Sequence, residues 1–276
     1  MRLYRLPDSL IAVTHDRAVR LPRLTLDAVF AADDPAAMVG AAWKNGEPCA
    51  PPDLSQPIPA PVESQEVWAA GVTYFRSRVA RMEESEQAGA SRFYDMVYEA
   101  DRPELFFKAT GPRARGHRQP VRIRADATWN VPEPELVLAV NAEGRVFGYT
   151  IGNDMSSRDI EGENLLYLPQ AKVYRGSCAV GPCLTICPPM SAETGIHLTI
   201  LRGGEVAFEG STSLAQLKRT PQELADWLFR ENEFPLGALL FTGTGLVPPG
   251  QWTLAIGDVV RIRIDGLGEL ENAVGE

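Results

Sequence analysis

The chain has 276 residues, 45% of them hydrophobic and 23% charged, with 36 acidic against 27 basic side chains for a formal net charge of −9. That balance excludes a disordered chain and gives no basic footprint for a nucleic acid, and no apolar run nears the roughly 20 residues that a membrane-spanning helix needs. Met1-Arg-Leu-Tyr-Arg-Leu-Pro7 lacks the apolar segment of a secretory leader, so the expectation is a soluble, cytoplasmic protein with neither a nucleic-acid nor a membrane partner.

Leu10–Val13 and Ala18–Leu21 read as short strands around a turn at His15-Asp16. Residues Leu26 to Trp43 have helical spacing, with Leu26, Val29, Phe30, Met38 and Val39 apolar. Prolines 48, 51, 52, 57, 59 and 61 then break regular structure, as in a linker. These features predict a small N-terminal subdomain and linker over residues 1–62, ahead of a catalytic domain over 63–276.

Val67–Val72 reads as a buried strand, and Phe75 to Ala100 as two helices interrupted at Gly89. Glu104–Lys108 and Pro120–Arg124 are strand-like, separated by a loop that carries Arg113, Arg115 and Arg118. With Arg122 and Arg124 these form the one local basic cluster, which fits a solvated surface or a subunit contact. Ala179–Cys187 and Ile196–Leu201 are strands, and Gly203-Gly204 is a hairpin turn. Thr220-Pro-Gln-Glu223 is a helix start, with an N-cap, Pro at the first position and Glu at the third. Leu239–Thr242 and Ile256–Ile264 complete a chain that is mixed α/β but mostly β. Cys49, Cys178, Cys183 and Cys187 are not in CxxC spacing and the three histidines are scattered, so zinc is not expected. No GxxxxGK[ST] or GxGxxG motif occurs in a strand–helix context.

The chemistry concentrates between Asp126 and Lys172. Glu133 and Glu135 lie two residues apart where a strand begins, so they share a face. Pro134 between them lacks an N–H and requires an edge or a ladder start. If Asn141–Gly144 is a tight turn, the return strand sets Glu135 opposite about Thr150 and Glu133 opposite about Gly152. Asp154 then lies alongside or just beyond the two glutamates. Three carboxylates at one rim repel one another unless a cation holds them together. All-oxygen donors suit Mg²⁺, Ca²⁺ or Mn²⁺; the alternative is a solvated acidic strand end. Arg158 and Lys172 suit an anionic substrate or serve as counterions, and Thr242-Gly-Thr244-Gly245 offers hydroxyl and N–H groups or is an ordinary turn.

Glu133-Pro-Glu135, Gly148-Tyr-Thr-Ile-Gly-Asn-Asp154-Met-Ser-Ser-Arg158-Asp159, Lys172, Gly181-Pro182, Thr242-Gly-Thr244, Gly257-Asp258-Val-Val and Gly268-Glu-Leu-Glu-Asn272-Ala-Val resemble the fumarylacetoacetate hydrolase family. The resemblance runs from about residue 66 to the C-terminus. It implies a β-sandwich or barrel-like fold with short helices, a homodimer or homotetramer, and Mg²⁺ (or Ca²⁺ or Mn²⁺) on Glu133, Glu135 and Asp154. It also places Lys172 and Thr244 at the substrate.

The family's hydrolases carry a histidine shortly after an Asn-Tyr motif, paired with a glutamate to activate water. The matching region here, Gly71-Val-Thr-Tyr-Phe-Arg-Ser-Arg78, has none, and none follows until His117. Val72–Arg78, Glu104-Leu-Phe-Phe-Lys108-Ala-Thr110 and Glu161-Gly-Glu163-Asn-Leu-Leu-Tyr-Leu-Pro-Gln-Ala-Lys172 resemble instead the branch that dehydrates 2-keto-3-deoxy-pentonates. The implied reaction converts such a keto acid to 2,5-dioxopentanoate. Glu104 and Lys172 are the candidate proton-transfer pair, in either order, and Arg76, Arg78, Arg158 and Thr244 the candidate substrate contacts. A Glu104 salt bridge to Lys108 or Arg102 and a solvated face for Arg76 and Arg78 are the plainer alternatives. Other readings are a hydrolase, decarboxylase or isomerase of a diketo or enol acid, or a non-catalytic keto-acid-binding protein.

Overall fold

The computed structural model describes residues 1–15, 17–74, 96–250 and 252–275. The elements in order are β1 (Arg2–Leu6), β2 (Ser9–Val13), β3 (Ala18–Leu21), α1 (Leu26–Ala31), α2 (Pro35–Lys44), β4 (Glu47–Cys49), β5 (Glu66–Gly71), β6 (Glu104–Thr110), β7 (Val121–Arg122), β8 (Asn130–Val140) and β9 (Val146–Ser157). There follow α3 (Arg158–Glu163), α4 (Leu168–Lys172), β10 (Cys178–Thr185), β11 (Gly195–Arg202), β12 (Glu205–Ser213), α5 (Pro221–Phe229), β13 (Ala238–Phe241), β14 (Val259–Ile264) and β15 (Gly268–Gly275). Of the helices expected from Phe75 to Ala100, residues 75–95, with Arg76 and Arg78, lie outside the described residues, while residues 96–99 are helical. Among the described residues no helix is long and apolar enough to cross a membrane.

Among the described residues, ten strands form one sheet in the order β4-β3-β2-β1-β10-β9-β8-β13-β5-β6, and five form a second, β12-β11-β14-β15-β7. The N-terminal strands therefore extend the large sheet, β1 pairing antiparallel with β10. The predicted helix from Leu26 to Trp43 is two helices, because Ala32 is extended and Asp34 caps a new start with Pro35 in its first turn.

β8 is buried along all its residues, which explains its continuous apolar run: a strand covered on both faces does not alternate. Leu136, Leu138 and Val140 pack with Leu198, Ile200, Val260 and Ile262 of the small sheet. Val137 and Ala139 face the other way, with Leu239, Phe241 and Phe30. Full burial of each such aliphatic side chain contributes about 1.5–3 kcal/mol, so β8 and its carboxylate-bearing end are held by core from both sides.

The proline-rich stretch is fastened by His117, whose Nε2 lies 3.0 Å from the Leu54 carbonyl while Nδ1 accepts from the Glu271 amide at 3.2 Å. Both contacts need the neutral Nε2–H tautomer, and burial holds the imidazole below its ordinary 6.5. A histidine with a depressed folded-state pKa binds fewer protons folded than unfolded, so its stability contribution is present above 6.5 and is lost as pH falls through the lower folded value. The thermal stability of the native protein should therefore fall as pH drops below 6.5, and His117→Gln should flatten that slope. An unchanged slope in the variant would remove His117 from the account.

Candidate metal centre and the cavity around it

The register of the β8–β9 hairpin puts Glu133 directly opposite Asp154 and Glu135 opposite Gly152. This is shifted by two residues from the tight-turn expectation. The Asn141 amide donates to the Arg145 carbonyl, so the loop is one residue longer, and a bulge between Ala139 and Val140 adds another. Two one-residue slips preserve the face, and Asp154 arrives beside the glutamates rather than beyond them. Ligand oxygens of Glu133, Glu135 and Asp154 all lie within 4.8 Å of one another, in the interior.

The edge that Pro134 requires is present. Along β8, β13 reaches only Val137–Val140, so the carboxylate end of β8 meets the loop after β13 instead. There the Thr242 amide donates to the Leu136 carbonyl (3.1 Å), the Gly243 amide to Glu135 Oε2 (2.5 Å), and Thr244 Oγ1 to the Pro134 carbonyl (2.9 Å). Gly243 has φ +86°, and a Cβ there would sit 2.1 Å from Thr73 Oγ1, so only glycine can present this N–H to Glu135.

Among the described residues, three cations surround the triad. Arg158 Nη2 donates to Glu133 Oε1 at 2.7 Å. Lys172 Nζ reaches Glu133 Oε2 at 2.7 Å, Asp154 Oδ2 at 3.0 Å and Ser156 Oγ at 2.6 Å. Lys108 Nζ pairs with Asp154 Oδ1. Among the described residues Glu135 is in no ion pair. Burial above all, then the charges of Asp154 and Glu133, push its carboxyl well above the usual range, with Lys172 and the Gly243 amide offsetting part of this. The triad therefore lacks positive charge at Glu135. A hard divalent cation bound to three clustered carboxylate oxygens supplies it, so the residues fit such an ion.

One cavity is lined by Glu133, Glu135, Asp154, Arg158, Glu161, Lys172, Gly243 and Thr244 together with Gly71, Val72, Glu104 and Phe106. The predicted ligands, both proton-transfer candidates and two of the four substrate-contact candidates thus converge; the other two, Arg76 and Arg78, are outside the described residues. The Glu104 carboxylate lies against Gly71, where a Cβ would be 2.0 Å from Oε2. Val72 adopts φ +51°, a conformation that costs a β-branched residue about 1–3 kcal/mol and concentrates at functional sites. Ser156 and Lys108 were not foreseen as site residues, whereas Glu161, which the sequence offers with Asp159 and Glu163 as a continuation of the acid/base set or as a polar loop, does line the cavity. Ser156 is visible only once the register is known. None of the three histidines lines the cavity: His117 is fastened to Leu54 and Glu271, and His197 pairs with Asp265 at 3.5 Å.

Residues 67–275 match the profile of the family described as fumarylacetoacetate (FAA) hydrolase, C-terminal. The chain is 46% identical over 216 residues to a probable 2-keto-3-deoxyxylonate dehydratase of Haloferax volcanii, covering 78% of this chain and 73% of that protein. It is 40% identical over 216 residues to the 2-dehydro-3-deoxy-D-arabinonate dehydratase of Saccharolobus solfataricus, covering 77% and 72%. A solved structure of 2-keto-3-deoxy-D-arabinonate dehydratase complexed with magnesium and 2,5-dioxopentanoate superposes with a TM-score of 0.86 at 33% identity, over 100% of this chain and 99% of that one.

Proposed function

The chain belongs to the fumarylacetoacetate hydrolase family, and from that premise we propose that it is a divalent-metal-dependent hydro-lyase that dehydrates a 2-keto-3-deoxy-pentonate to 2,5-dioxopentanoate. One observation carries the reading: a buried three-carboxylate cluster shares its cavity with a glutamate and a lysine, and with no histidine. The nearby relatives named as dehydratases and the magnesium and 2,5-dioxopentanoate of the solved neighbour support it.

Glu133, Glu135 and Asp154 would hold Mg²⁺ (or Mn²⁺ or Ca²⁺), which when bound polarises the substrate's 2-keto group and acidifies C3. The chain's own groups then divide the proton transfers. Lys172 Nζ directs three N–H donors at three oxygens, the arrangement of an ammonium, which supports a role as the acid that protonates the departing C4 hydroxyl. Glu104, a half-buried carboxylate at the start of β6 that lines the same cavity, is the proposed base that takes the C3 proton. Loss of water leaves a C3=C4 double bond, which moves to C4=C5 and tautomerises to the C5 aldehyde. Arg158 and Thr244, and outside the described residues Arg76 and Arg78, are the proposed substrate contacts. Arg158 also neutralises Glu133.

The test is an assay of 2-keto-3-deoxy-pentonates before and after chelation and Mg²⁺ readdition. Metal-restored formation of 2,5-dioxopentanoate is expected. Pyruvate released from an acylpyruvate, with the pentonates untouched, would replace elimination by hydrolysis.

A further inference from the structure

Lys108 is 1% exposed and is not among the residues lining the cavity, yet its ammonium lies at the junction of the site. It pairs with Asp154 Oδ1 and donates to the Met155 carbonyl at 3.2 Å and to the Lys172 carbonyl at 2.5 Å. Three donors meet three acceptors, so the group is saturated within the protein. Met155 lies between Asp154 and Ser156, the two β9 residues whose side chains hold Lys172 Nζ. The Lys172 carbonyl belongs to the last residue of α4, one of the helix-end acceptors that need an outside donor.

One buried ammonium therefore touches the carboxylate proposed to bind the cation, the strand between the two residues that hold the Lys172 side chain, and the Lys172 main chain. We propose that Lys108 is a positioning residue that fixes the Lys172 ammonium relative to Asp154 and the cation, without touching substrate. Charge and position pull in opposite directions here, which makes the role separable. Deleting a positive charge beside Asp154 relieves repulsion of an incoming cation and favours metal binding, whereas freeing Lys172 misplaces the acid for the C4 hydroxyl.

This inference rests on the dehydratase reading, and it is tested on Lys108→Met and Lys108→Gln in the full chain by three measurements. Mn²⁺ affinity, followed by electron paramagnetic resonance, should be no more than about threefold weaker than native, since the three carboxylates remain. At saturating Mn²⁺, kcat on the pentonate should fall at least about thirtyfold with KM within about threefold, because misplacement by about an ångström costs up to about a hundredfold. Without substrate, acetic anhydride labelling of Lys172, read by mass spectrometry against exposed Lys44, should rise several-fold as its tether is lost. A kcat within about threefold of native, an activity loss cured by excess Mn²⁺, unchanged Lys172 labelling, or failure of both variants to fold would each overturn the proposal. If the native protein does not turn over pentonates, the dehydratase reading fails by itself, and the labelling and Mn²⁺ arms still decide whether Lys108 positions Lys172.

Discussion

Replacing Glu135 with Gln is expected to abolish metal-dependent activity, by at least about a thousandfold, while leaving the metal-free protein as stable as the native one or more so. The two halves of this expectation share a cause. Glu135 is fully buried, accepts the Gly243 amide, and has its carboxyl pushed well above the usual range by burial, Asp154 and Glu133. An acid with a raised folded-state pKa binds more protons folded than unfolded between the two values, so without a cation its stability contribution declines as pH rises through that window. Gln keeps the shape and an acceptor for Gly243 and removes that charge. The native protein should gain thermal stability on adding Mg²⁺, by mass action on the folded state, and Glu135→Gln should not. Persistence of both the Mg²⁺ shift and turnover in the variant would sink the metal assignment.

How much of this was legible beforehand follows from the range of each interaction. The pairing of Glu133 with Glu135 on one face is a local consequence of strand alternation, and the need for an edge at Pro134 is a local consequence of its missing N–H. The opposing residue was not local. It depended on a five-residue loop and on the bulge at Ala139/Val140, neither of which Asn141-Ala-Glu-Gly144 announces, and only their sum returned Asp154 to the correct face. The T-G-T loop was recognisable as a candidate, but its task of filling the ladder beside β8 required knowing that β13 stops at Phe241. Lys108 carried no signal at all. In sequence it is the natural partner of Glu104 four residues away, whereas its ammonium is directed at Asp154, Met155 and Lys172. The N-terminal strands read as a small subdomain ahead of a proline-rich linker; that β1 hydrogen-bonds to β10, a pairing across most of the chain, is encoded by no short pattern.

The second large effect separates the acid from the base. Lys172→Met should lower kcat by about a hundredfold to ten-thousandfold, the range for loss of a positioned general acid, while the enzyme still exchanges the substrate's C3 hydrogen with deuterated solvent. Glu104→Gln should lose turnover and C3 exchange together. The asymmetry comes from the order of events: exchange needs only the base and a polarised ketone, whereas departure of the C4 hydroxyl also needs a proton. Geometry favours this assignment over its reverse. Lys172 Nζ, already donating to Glu133, Asp154 and Ser156, has no lone pair to offer as a base unless it gives up both a proton and a buried ion pair. Glu104 lines the same cavity with its carboxylate against Gly71. Exchange retained in Glu104→Gln and lost in Lys172→Met would reverse the roles. Substantial turnover in both variants would move the proton transfers to other groups, Glu161 first among them because its carboxyl lines the same cavity.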